Sequence, residues 1–385
     1  MSSTQLPGTG RINSIDIVRG VVMVLMAIDH VRVYSGLPAG GTEVGIFFTR
    51  WVTHFCAPAF VFFAGTSAFL YGNKLQDVKA LTRFLLTRGV MLVVLELTVI
   101  RFGWTFNFNY SVFTLAGVIW MIGWCMVFLA LMVRLNALTV GIIGLTLVFL
   151  QQIFSYIPNL FPESTKVTLG GLWEFFYSSG GQPLPGITIL YVLIPWIGVM
   201  AAGYGFGKIL LSEAPIRKKL CLQIGISAFV LFFVIGSVLI LVKPAGADAP
   251  PFLFQLLNQK KYPASQLFLM MTLGPAIALL PFVENAKGRL ATVLTTFGRV
   301  PFFFYLLHIP LIHLSAWFVN FLRVGEIHQD WYASAPFVFV EESSRWSLSL
   351  LYLVFIIDVV LLYFACRWYS RYKLNHPEKR WLKFI

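Results

Sequence analysis

The feature that most constrains this chain is a succession of apolar runs, each of roughly the 20 residues that a helix needs to cross a bilayer core. About ten can be read, at approximately 17–35, 50–71, 84–100, 111–132, 138–157, 188–210, 222–242, 265–283, 301–321 and 348–366. Of 385 residues, 58% are hydrophobic and only 12% charged, which is about half the charged share of a soluble domain. One folded core cannot hide that much apolar surface, so lipid has to serve as solvent. In lipid, a single segment satisfies its own backbone polar groups only as a helix. The predicted fold is therefore all-α, a polytopic membrane helix bundle of about ten transmembrane helices, with 1–385 as one domain. No repeat or linker divides it.

The distribution of charge predicts the orientation. With the N-terminus in the cytoplasm, 20 of the 29 Lys and Arg fall on cytoplasmic segments and 9 on outer ones. Excess positive charge marks the inner side, so both termini are expected to be cytoplasmic. The formal net charge is +13, but the basic residues form short clusters between apolar runs rather than a stripe, which excludes nucleic acid as a partner. The first run contains Asp16, Arg19, Asp29 and His30, which a cleaved signal core would not tolerate, so it reads as a retained helix. Cys56, Cys125, Cys221 and Cys366 are far apart with no metal-ligand spacing, so neither a disulfide framework nor a metal is expected. The long loops, about 158–187, 243–264 and 322–347, are rich in Trp, Tyr, Gly and Pro and lie on the outer face.

Ionisable groups inside hydrocarbon cost about 2.5 kcal/mol or more, so each one asks for a reason. The densest group is on the first two helices. His30 lies eleven residues beyond Arg19, about 16 Å further along the axis, in the outer half of the membrane. The second helix runs back the other way with His54 near its outer end, so the two imidazoles reach similar depth. An imidazole can take and return a proton near neutral pH, as acylation of an amine or hydroxyl requires. Asp29 is the candidate orienting or general-base carboxylate. His308 and His313, five residues apart on the ninth run, are about 140° out of phase and need not face one cavity. Glu96 and Asp358 read as partners of polar groups rather than catalysts. Gly203-Tyr204-Gly205-Phe206-Gly207-Lys208 lacks phosphate-loop spacing, and its Gly203 and Gly207 form a small-residue packing face instead.

Several of these stretches are similar to the heparan-alpha-glucosaminide N-acetyltransferase family. They are Arg11-Ile12-Asn13-Ser14-Ile15-Asp16-Ile17-Val18-Arg19-Gly20 with the run to His30, Pro58 and Phe60 to Gly65, Gly186 to Leu211, and the Tyr305–His308 turn. The resemblance implies a bacterial-type integral membrane enzyme that takes an acetyl group from cytosolic acetyl-CoA. It passes that group to an extracytoplasmic acceptor, such as the amine of a terminal glucosamine. The family's catalytic histidine would fall near Val44, which is not histidine. His54 stands where the lysosomal pattern has Asp, and His30 where it has Asn. The expected catalytic set is His54 as base, supported by His30 and Asp29, with His308 nearby. Arg19, Arg88 and Arg299 are expected to meet the phosphates of acetyl-CoA, Arg19 foremost because it lies deepest. Expected partners are acyl-CoA, a sugar or other nucleophilic acceptor and the lipid bilayer, with a homodimer allowed. The competing reading is a transporter or channel with a buried His/Asp site, which also needs intramembrane charges and interrupted helices.

Overall fold

The apolar runs fold as helices because a backbone in hydrocarbon has no other partner than itself. The computed structural model describes residues 12–111, 114–178, 186–242, 246 and 249–384. The polar start 1–11, including Arg11, and parts of the long loops 158–187 and 243–264 lie outside the described residues. Fifteen α-helices follow in order among those described: α1 Asn13–Tyr34, α2 Val44–Trp51, α3 Cys56–Leu75, α4 Val78–Leu95, α5 Arg101–Thr105, α6 Val118–Met132, α7 Ala137–Phe149 and α8 Lys166–Trp173, then α9 Leu193–Leu210, α10 Ala214–Val242, α11 Phe252–Leu257, α12 Gln266–Val283, α13 Arg289–Arg299, α14 Pro301–Val324 and α15 Leu348–Asn375.

Six segments of the described residues are long and apolar enough to cross a membrane: Val44–Leu75, α9, α10, α12, α14 and α15. The expectation of about ten spans differs from this for local reasons. The run 17–35 is helical as part of α1, which carries Asp16, Arg19, Asp29 and Arg32; 84–100 falls on α4, which carries Lys79, Arg83 and Arg88, and on the π-helical turn that follows it. The run 111–132 does not begin as helix. Thr114–Ala116 forms a strand, β1, paired in parallel with β2 Ile187–Ile189, and α6 starts only at Val118. The run 138–157 breaks after Phe149 into a 3-10 helix, Gln151–Leu160, bent by 70°, and counts as a seventh span only if the bent pair is one. Glutamines stabilise that break: Gln151 Nε2 donates to the Val148 carbonyl at 3.0 Å, and Gln266 Nε2 of α12 to the Val148 and Phe149 carbonyls at 3.1 and 3.2 Å. Those freed carbonyls are thus paired without water.

Close helix pairs are built on glycine against backbone. A Cβ on Gly65 of α3 would lie 1.9 Å from the Met200 carbonyl oxygen of α9, and one on Gly203 would lie 2.0 Å from that of Phe62. The same reciprocal contact joins α1 to α13, where Gly20 meets Leu294 and Gly298 meets Asp16. In lipid, where apolar burial gives little driving force between helices, such backbone approach supplies the packing. By contrast α10 has only 17% of its apolar window buried, so most of its surface faces outward.

The start of α1 and the end of α15 lie at one end of the bundle. Thr295 of α13 donates to Asn13 at 3.4 Å, Phe84 stacks on Phe384 at 5.7 Å, and Arg19 and Lys373 line the same cavity. Beyond α4, a π-helical turn at Glu96–Ile100 swings Glu96 inward, as such insertions do at sites.

Candidate active site

At the far end of α1, His30 Nδ1 lies 2.6 Å from His308 Nε2 of α14. His308 Nδ1 is 2.8 Å from the Tyr305 carbonyl and 3.1 Å from that of Phe304. A carbonyl can only accept, so His308 Nδ1 carries the proton. In the neutral pair His308 Nε2 is then a lone pair and accepts from His30 Nδ1–H. That leaves His30 Nε2 as a lone pair with no hydrogen-bond partner among the described residues. A chain of two imidazoles, anchored on backbone, therefore ends in one free base. Trp104 fixes the His30 ring edge-on, with centroids 4.7 Å apart. These carbonyls lie four and three residues before His308 on its own helix, α14, so the anchor is local.

The other candidates sit differently. Asp29 Oδ1 is held by Arg32 Nε and Nη2, both at 3.0 Å, and Arg32 Nη1 also donates to the Leu37 carbonyl at 2.9 Å. Asp29 is therefore spent on an i,i+3 pair of its own helix and bonds no histidine. His54 lies in the 3-10 turn Val52–Phe55, edge-on to Phe268 at 5.5 Å, and neither ring nitrogen has a partner among the described residues. His313 belongs to a separate cluster, stacked on Phe106 at 4.0 Å and bonded to Gln329 and Tyr34, consistent with its phase difference from His308. Glu96 Oε2 accepts from the backbone N–H groups of Ile119 and Trp120 at 3.0 and 3.2 Å, capping α6, and Asp358 accepts from Ser315 at 2.7 Å.

Two cavities approach this histidine pair from opposite ends of the bundle. One, of about 450 Å³, is lined by His30, His54, Arg50, Glu96, Lys261 and Tyr305 among others. The second, of about 500 Å³ and more apolar, opens at the end where α1 begins, and takes its charge from Arg19, Arg88 and Lys373. Among the described residues only Tyr305 and Val118 border both. Arg19 Nη2 donates to the Phe63 carbonyl at 2.7 Å and Ser67 Oγ at 2.5 Å, which fixes its guanidinium across α1 and α3. Arg299 is exposed and lines neither cavity, and Arg217 is paired with Glu284.

The first cavity is electropositive. Arg50 and Lys261 make no ion pair among the described residues; Lys261 bonds the Tyr262 hydroxyl, and its Nζ lies over the Tyr262 and Tyr191 rings at 5.2 and 5.9 Å. Burial opposes the Lys261 ammonium, but the fields of Tyr262 and Asp29 outweigh it and hold its pKa above the ordinary lysine value. Sequence reasoning missed Tyr305, Arg50, Lys261 and Lys373 as lining residues. Only Tyr305 left a signal: three residues before His308, it shares that residue's helix face.

A helical membrane protein with two cavities that share Tyr305, and an imidazole pair whose His30 lines one of them, has the parts of a group-transfer enzyme. The heparan-alpha-glucosaminide N-acetyltransferase catalytic family matches the chain over residues 11–242, and the chain belongs to that family. His30, His54, Arg19 and Arg88 lie inside the matched stretch, whereas Tyr305, His308 and Lys373 lie after it. No match is found among curated proteins.

Proposed function

We propose that this chain is a transmembrane acetyltransferase that carries an acetyl group from acetyl-CoA on the cytoplasmic side to the amine of a sugar acceptor on the other. The observation that carries the reading is the meeting of two oppositely opening cavities beside the His30–His308 pair. Acetyl-CoA enters the cavity of Arg19, Arg88 and Lys373, whose cations answer its phosphates; the guanidinium fork of an Arg suits a phosphate best. The apolar wall beyond them takes the pantetheine arm and points the thioester toward Tyr305 and His30.

The acceptor occupies the opposite cavity, and His30 Nε2 is the base that takes its proton. His308 fixes the tautomer and shares the charge of the imidazolium that forms. His54, which bonds neither histidine, lines the acceptor space rather than acting as the base. Two cations outside any ion pair among the described residues, Arg50 and Lys261, favour an acceptor with an acidic substituent beside its amine.

The test is a turnover assay with the purified protein in proteoliposomes. Labelled acetyl-CoA is supplied on one face, and neutral and acidic amino sugars on the other. Acetylated sugar should appear only on the acceptor face, with one free CoA thiol released per product. Net movement of unmodified sugar or CoA across the vesicle, without acetylated product, would favour the transporter reading instead.

A further inference from the structure

Tyr305 stands where the two cavities touch, and it is the only one of the two shared lining residues with a polar side-chain atom. The residue is 5% exposed, yet its hydroxyl makes no hydrogen bond with the described residues. Buried phenols ordinarily find a partner. Two others near the site do: Tyr34 donates to the Trp104 carbonyl at 2.5 Å, and Tyr332 bonds Asn320 at 2.9 Å. The Tyr305 ring has little freedom. It lies edge-on to His308 with centroids 5.1 Å apart and edge-on to His30 at 6.5 Å. Its own carbonyl holds the His308 Nδ1 proton. One residue thus orients the histidine chain through its backbone and presents a free O–H donor to the space beside it.

Resting on the acetyl-transfer reading above, we infer that Tyr305 is a catalytic residue whose phenol O–H stabilises the oxyanion of the reaction. The acceptor nitrogen attacks the thioester carbonyl carbon, a C–N bond forms, and the carbonyl π pair moves onto oxygen. That oxygen, now anionic, accepts the Tyr305 hydrogen bond, while the proton of the acceptor nitrogen passes to His30 Nε2. The oxyanion collapses to the amide carbonyl and the C–S bond breaks. The CoA thiolate leaves with the electron pair and takes the proton back from the His30 imidazolium. The products are the N-acetylated acceptor and the CoA thiol; Tyr305 keeps its proton throughout. Donors aimed at developing charge act strongly in a site shielded from water, and they act on the transition state rather than on substrate binding.

The experiment compares the wild-type protein with Tyr305→Phe and Tyr305→Leu, measuring kcat, KM for acetyl-CoA and for acceptor, acetyl-CoA affinity by equilibrium binding, and thermal unfolding. Tyr305→Phe removes one oxygen that bonds nothing in the protein, so its unfolding temperature should match wild type. Its kcat should drop by about 10²–10³, with both KM values and the acetyl-CoA affinity within about threefold. Tyr305→Leu should lose no less in kcat and should also unfold at lower temperature, because the ring is gone. A folded Tyr305→Phe with kcat within about threefold of wild type, or a defect confined to KM, overturns the inference. So does a Tyr305→Phe that cannot fold, since the hydroxyl would then be structural. If the wild-type protein binds acetyl-CoA but acetylates no acceptor, the acetyl-transfer reading itself fails, and the role of Tyr305 falls with it.

Discussion

His30 and His308 stand 278 residues apart in sequence and 2.6 Å apart in space, and the backbone beneath His308 dictates which nitrogen of each ring is basic. Removing either ring breaks one chain. His30→Gln should lower kcat by about 10²–10⁴, the usual range for a lost general base. His308→Ala should cost less, and the double variant should lose little more than His30→Gln alone, because the residues act as a unit. Steady-state kinetics of the four proteins gives the comparison. Fully additive losses would mean that the rings work independently.

His54 tests the opposite expectation. Its ring is buried and bonds nothing among the described residues. His54→Leu should therefore keep turnover within about tenfold of wild type and leave thermal stability equal or higher, since no hydrogen bond is lost. A loss of more than about a hundredfold in kcat would return the base role to His54.

Arg50→Gln and Lys261→Gln probe the acceptor cavity. Each should raise KM for an acidic amino sugar by about tenfold, which corresponds to about 1.4 kcal/mol. KM for a neutral amino sugar and for acetyl-CoA should not change. An equal effect on both sugars would show that the two cations do not read an acidic group.

The glycine contacts predict where side chains cannot be added. Gly65→Ala and Gly203→Ala push a Cβ to within 1.9 and 2.0 Å of facing carbonyl oxygens, so α3 and α9 must separate. Overpacking of this kind costs about 1–3 kcal/mol, which thermal unfolding should register as a lower transition. Gly170→Ala, with open space around it, is the control and should be neutral.

Sidedness is checked by labelling single cysteines on a cysteine-free background. Positions Gln76, Lys218 and Glu378 should react only from the cytoplasmic side, and Val167 and Glu326 only from the other. Labelling of Lys218 from outside would invert the bundle.

How much of this was legible in the sequence varied with the range of the interaction. Apolar length and the charged first helix were plain. That His30 and His54 reach similar depth followed from two antiparallel helices and their spacing; that they line one cavity is the structure's finding. The partnership of His30 with His308 was not legible, because it depends on which helix packs against α1. Asp29 is different. Arg32, three residues on, was a visible partner on the same face, and the pairing of Asp29 with a histidine overlooked it. The run at 138–157 was read through Gln151 and Gln152, although those two polar residues mark the break. The carbonyls freed at the break are met by side-chain amides, partly from the distant Gln266, which no local pattern shows.

Arg19 comes from the first described helix and Lys373 from the last, yet they line one cavity. A ribosome delivers these helices to the membrane in order, so the cavity proposed for the thioester is complete only once the last described helix docks. Until then, the free imidazole of α1 has neither its partner on α14 nor a finished donor chamber.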